Sequence, residues 1–175
     1  MDASTKGLRG LTRRELLSRS VAAGASFVVG AGFVAGRNAA WAVEAKALSP
    51  ETMATLIQMA RDIYPHDHVG DAFYATAVSG YDTPESAPEI EAGIAELDTR
   101  ARDAGHGSYL DMGWERDRVT LLRQIEETQF FQKIRGGLIT GLYNQPAVWP
   151  LFGYEGESFS KGGYIDNGFD DIAWI

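Results

Sequence analysis

The chain has 175 residues and a net charge of −8, with 24 acidic against 16 basic side chains and no cysteine. Without cysteine there are no disulfide staples, no thiolate-held iron–sulfur cluster and no C-x-x-C-H haem attachment. The acidic balance sharpens along the chain. Six basic and two acidic residues precede Val43, so positions 43–175 hold 10 basic and 22 acidic residues, a net −12. Such a surface repels nucleic acid and anionic membranes.

The first 42 residues read as an export leader. Thr12-Arg13-Arg14-Glu15-Leu16-Leu17 places paired arginines ahead of a weakly apolar run, Val21 to Val34, built only from Val, Ala, Gly, Ser and Phe. Ala40-Trp41-Ala42 follows as a small-x-small cleavage site, with the cut expected after Ala42. Arg13 and Arg14 are the mark of the bacterial twin-arginine route, which carries proteins already folded. The run is too short and too rich in Gly and Ala for a membrane span, which takes about 20 apolar residues. Gly30-Ala31-Gly32-Phe33-Val34-Ala35 fits a dinucleotide fingerprint in letters only, because it lies inside this leader rather than in a βαβ unit.

Ser49-Pro50-Glu51 predicts a helix start, with a serine cap, proline at the first helical position and an acid in the first turn. Met53, Leu56, Ile57, Ala60, Ile63 and Tyr64 give its apolar face, and Pro65 ends it. After the connector 65–70, Asp71 is expected to cap a short helix carrying Phe73, Tyr74, Ala77 and Val78. Tyr81 to Pro88 is a polar loop with two prolines. Helical spacing returns from Glu89 to Ala104 through Ile90, Ile94, Leu97 and Ala101, ending in Gly105-His106-Gly107.

The longest predicted helix runs from Gly113-Trp114 to about Leu142. Leu121, Leu122 and Ile125 fall on one face and Phe131, Ile134 and Leu138 on another, as in a helix packed on two sides. Gly136-Gly137 inside it predicts a kink or a close approach. No stretch alternates as a hairpin does. The fold class expected is mainly α: about four helices over 43–142, followed by an irregular arm, 143–175.

That arm holds eight of the 19 aromatic residues, with prolines, glycines and no helical period. It is too aromatic to stay solvated and too interrupted to be a helix, so it is expected to lie on its own core, on another subunit, or on both. Trp149, Phe152, Tyr154, Tyr164, Phe169 and Trp174 are the candidate partner-binding residues, since Trp and Tyr dominate interface hot spots.

His66-Asp67-His68 is the strongest metal-ligand spelling in the chain, with His106 the only other imidazole. Ligands at i and i+2 of one loop seldom converge, and a polar turn after Pro65 is the preferred reading. There is no G-x-S-x-G, and no carboxylate pair stands out from an acidic background. No catalytic site, metal or cofactor is therefore expected in this chain. The alternatives are a metal-dependent periplasmic enzyme built on His66, Asp67 and His68, and a stand-alone periplasmic binding protein.

Several segments together resemble one family. They are Ala60-Arg61-Asp62-Ile63-Tyr64-Pro65-His66-Asp67, Asp71-Ala72-Phe73-Tyr74, Val148-Trp149-Pro150-Leu151-Phe152-Gly153-Tyr154-Glu155-Gly156, and Gly163 to Trp174. These are similar to the gluconate 2-dehydrogenase subunit 3 family, small twin-arginine-bearing subunits of bacterial flavin-dependent dehydrogenase complexes. The resemblance implies a large partner of the glucose–methanol–choline oxidoreductase type, which holds FAD and oxidises a sugar, sugar acid or alcohol. It also implies a multihaem cytochrome c subunit, carrying haem c, as electron acceptor in such complexes. The small subunit would be cofactor-free, chaperone-like, and the carrier of the catalytic subunit through the twin-arginine translocase. Its expected location is the periplasm, or the inner membrane where the complex or an uncleaved leader holds it.

Overall fold

The computed structural model describes residues 45–165 and, ahead of them, the backbone of two three-residue strands. These strands, β1 (Phe27–Val29) and β2 (Gly32–Val34), pair antiparallel with Phe27 opposite Val34 and Val29 opposite Gly32. They lie within the stretch read as a leader; residues 45–165 contain no strand, in keeping with the mainly α class expected. Two triplets rich in Val and Phe are too short to show alternation in sequence, yet long enough to pair.

Five helices follow: α1 (Pro50–Ile63), α2 (Asp71–Val78), α3 (Ala87–Asp103), α4 (Glu115–Arg123) and α5 (Gln129–Tyr143). α1 is the centre and packs against each of the other four. It begins as the sequence predicts: Ser49 Oγ accepts from the Thr52 N–H, and Pro50 takes the first helical position. Its burial extends beyond the predicted face to Ala54, Thr55, Met59 and Asp62. A helix surrounded on all sides has no solvent face to leave polar, which is why one amphipathic stripe understates it.

The approach to α1 is fixed by carboxylates from elsewhere. Asp82 accepts three successive backbone N–H groups, from Lys46, Ala47 and Leu48, at 2.7–2.9 Å. Burial works to raise the Asp82 pKa, but these three hydrogen bonds outweigh it and hold the carboxyl below its ordinary range. Glu91 takes the next N–H, of Ser49, at 2.6 Å, together with the Thr52 hydroxyl.

The cap of α2 differs from expectation. Gly70 is its N-cap, and Asp71 is already inside the helix, with its carboxylate 2.8 Å from Arg61 Nη1. An acid one step inside the first turn still meets the positive end of the helix, while its carboxylate reaches back to α1. α3 closes with Gly105 at φ +91° and His106 N–H donating to the Ala101 carbonyl, the six-to-one bond of a left-handed helix stop.

The long helix predicted over 113–142 is two. α4 stops at Arg123, a turn crosses 124–128, and Thr128 caps α5 through its side chain, which accepts from the Phe131 N–H. The break re-phases the chain. Leu121, Leu122 and Ile125 before it, and Phe131, Ile134, Leu138 and Leu142 after it, all enter one core. The two apolar faces read from the sequence are thus one face seen through an undetected turn.

α5 runs unbroken through Gly136-Gly137. A Cβ at Gly137 would sit 1.9 Å from the Tyr81 hydroxyl, and one at Gly141 would sit 2.7 Å from the Ala77 carbonyl oxygen. One side of α5, Gly137 and Gly141, is therefore bare so that α2 and its following turn can approach. Gly136 faces open space.

One polar network lies inside the core. Arg118 grips Asp62 with two bonds, Nε to Oδ2 at 2.7 Å and Nη2 to Oδ1 at 2.9 Å. Tyr109 donates to the same carboxylate at 2.7 Å, and Gln58 adds a fourth donor at 3.1 Å. Burial, then the Asp62 charge, pushes the Tyr109 hydroxyl well above its ordinary pKa, so it stays a donor. The network ties α1 to α4 and to the 104–114 connector. Among the described residues no helix is long and apolar enough to cross a membrane.

Candidate partner interface

The arm leaves α5 through Tyr143 and turns at once. Val148 is fully buried, and Gln145 Nε2–H, donating to the Phe73 carbonyl of α2 at 2.9 Å, fixes the approach to the turn Trp149–Phe152. Trp149 is half-buried, its Nε1–H donating to the Tyr143 carbonyl at 2.8 Å. Gly153, at φ +72°, reverses the backbone so that the Tyr154 N–H reaches the Trp149 carbonyl at 3.0 Å. A side chain bearing a Cβ adopts that φ only with strain, so glycine is required here. The reversal lays Tyr154 edge-on to Trp149, centroids 5.4 Å apart.

Phe152 points the other way. Its ring stands edge-on to both His66 and His68, 4.9 Å from each, and 5.8 Å from Tyr143. His66 Nε2 is 2.7 Å from the Tyr143 hydroxyl. The two imidazoles therefore form an aromatic seat for the arm, together with Tyr64 and Tyr143. Burial lowers the His66 pKa, with the neighbouring His68 and Arg61 acting in the same direction. Asp67 is exposed, and no group of three or more His, Cys, Asp or Glu among the described residues is placed to hold a metal. His106 lies apart from this seat, lining a cavity of about 440 Å³ with Arg100, Asp103 and Asp117.

Beyond Phe152 the arm turns outward. Phe152 and Tyr154 are 41% and 42% exposed, and Tyr164 is 78% exposed. Leu151, Phe159 and Ile165 are as open or more so, at 40%, 89% and 87%. These three are not among the candidates read from the sequence: Leu151 and Ile165 are not aromatic, and nothing in the sequence around Phe159 records its exposure. Phe169 and Trp174, the remaining arm candidates, lie outside the described residues, as do Arg13, Arg14 and Ala42. Trp114, 75% exposed at the head of α4, adds an apolar residue outside the arm.

Tyr143 was also missed as a hub. It receives the Trp149 indole on its carbonyl, His66 on its hydroxyl and Phe152 on its ring. Only its position as the last aromatic of a helix hinted at this. Compared with models of protein families, with curated proteins and with solved structures, the chain matches none.

Proposed function

We propose that this chain is the non-catalytic small subunit of a periplasmic FAD-dependent sugar or alcohol dehydrogenase complex, of the glucose–methanol–choline type. In this reading it stabilises the catalytic subunit and carries it, folded, through the twin-arginine route. The observation that supports it best is the arm. Between 151 and 165, six large apolar side chains stay at least 40% open on a segment whose base is fixed to the helices. Exposed apolar side chains gathered on one short segment are what a monomer avoids and an obligate subunit needs. The twin arginines and the family resemblance supply the identity of the partner; the flavin, and the chemistry, belong to that partner. The His66 and His68 rings are engaged with Phe152, and no observation favours the metal-dependent reading.

The test is an affinity capture of the C-terminally tagged full chain from periplasm and membranes, followed by an absorbance spectrum. A co-purifying large subunit with flavin bands is the expected result, with haem bands beside it where a cytochrome accepts the electrons. A lone, colourless, monodisperse protein overturns the reading. Truncation after Leu142 should leave the large subunit in the cytoplasm.

A further inference from the structure

The arm carries a slot of about 400 Å³ lined by Pro146, Trp149, Pro150, Gly153, Tyr154 and Glu155. Its lining holds two aromatic residues, two prolines and, at the end of the run, one acidic residue, Glu155. The walls are rigid for stated reasons: the Trp149 indole is tied to the Tyr143 carbonyl, and Tyr154 is brought back onto it by the left-handed Gly153. The acidic end is not rigid. Glu155 is paired with Lys161 at 2.6 Å, but its side chain is 69% exposed. An ion pair that open contributes little and exchanges readily.

We infer that this slot receives a single arginine side chain from the partner, stacked on the Trp149 indole beside the edge-on Tyr154 ring, with Glu155 leaving Lys161 to accept the guanidinium. This rests on the subunit reading above for its partner, but not for its chemistry. A guanidinium is planar, weakly hydrated and able to stack on a ring while donating two parallel hydrogen bonds to a carboxylate. The slot offers those two surfaces together. A carboxylate beside aromatic rings favours a cation, and an acidic occupant would meet a chain of net −12 over 43–175. Lys161 acts as the resident cation that the incoming one displaces.

The displacement gives the two ends of the Glu155–Lys161 pair opposite effects. The probe is N-acetyl-arginine amide, titrated onto the isotope-labelled full chain while the Trp149 indole N–H resonance is followed, with N-acetyl-leucine amide as control. The arginine amide is expected to shift the resonance saturably and the leucine amide is not. Glu155→Gln should weaken the response and Lys161→Gln strengthen it, each by about two- to five-fold, the range of an exposed ion pair. Equal or better binding of the leucine amide overturns the inference. So does a response unchanged in both variants, or weakened in both alike, the last meaning that the pair only braces the arm.

The capture experiment fails or succeeds separately. If Trp149→Ala abolishes capture of the large subunit while Glu155→Gln does not change it, the arm is the interface and the arginine assignment is wrong. If the unaltered chain captures no large subunit while the arginine titration succeeds, the slot stands and the subunit reading is wrong. If capture survives Trp149→Ala, the subunit reading stands and the slot is not where that partner docks.

Discussion

The core and the arm use aromatic residues in opposite ways. Tyr74 and Tyr109 are fully buried with hydroxyls committed, Tyr74 to the Tyr64 carbonyl at 2.6 Å and Tyr109 to Asp62 at 2.7 Å. Phe159 and Tyr164 are mostly open to solvent. In the core an aromatic side chain contributes to stability and its polar atom is satisfied inside. In the arm the same residue types contribute little to the isolated fold and are held ready by backbone turns. On the proposed reading, stability and recognition are divided between two stretches of one chain.

That division is broken most severely at Asp62. Arg118→Ala leaves a buried carboxylate without its bidentate partner, at a cost of about 3–5 kcal/mol in stability, read by urea unfolding. Partner capture should fall only as far as the folded fraction does. Gly141→Ala drives a Cβ against the Ala77 carbonyl oxygen and is expected to cost about 1–3 kcal/mol despite the better helix propensity. Gly136→Ala, with open space around it, should instead stabilise by up to about 1 kcal/mol. Opposite signs from glycines on one helix would show that close approach to α2, rather than helix propensity, decides.

Phe152→Ala tests the other half of the comparison. The ring is two-fifths exposed, so the expected stability loss is about 1 kcal/mol or less, while capture of the large subunit should collapse. A large stability loss would make Phe152 part of the core. The smallest effect is a pH dependence at the seat between them. The His66 pKa is lowered below 6.5 in the folded chain, so the unfolded chain binds the extra proton first. Stability is full above 6.5 and is lost as pH falls from there through the lowered folded value. His66→Gln should flatten that slope in denaturation curves measured on either side of 6.5.

Local chemistry was readable from sequence wherever a helix announced its own ends. Ser49 and Pro50 did so, and Ile90, Ile94, Leu97 and Ala101 gave the buried face of α3 directly. The break at 124–128 was not readable, because Gln124, Glu126 and Glu127 are good helix residues and only the Thr128 cap marks the restart. Asp62–Arg118 and Asp82 with its three N–H donors were invisible for a different reason. Their partners lie 34 or more positions away, and nothing in a carboxylate's immediate neighbours records where it will find its donors. At the interface the sequence pointed to the arm by composition. It did not show that His66 and His68 serve that arm as ring surfaces, because imidazoles in a polar loop suggest ligands before they suggest a packing seat.

The Asp82 clamp has a consequence for how this molecule begins. Three consecutive amides close on one charge just ahead of α1, so the folded unit has a defined front edge at Lys46. A cut after Ala42 would leave Val43, Glu44 and Ala45 before that edge. The entry to α1 is therefore held by a side chain 34 or more positions further along the chain, and not by its own leading residues alone.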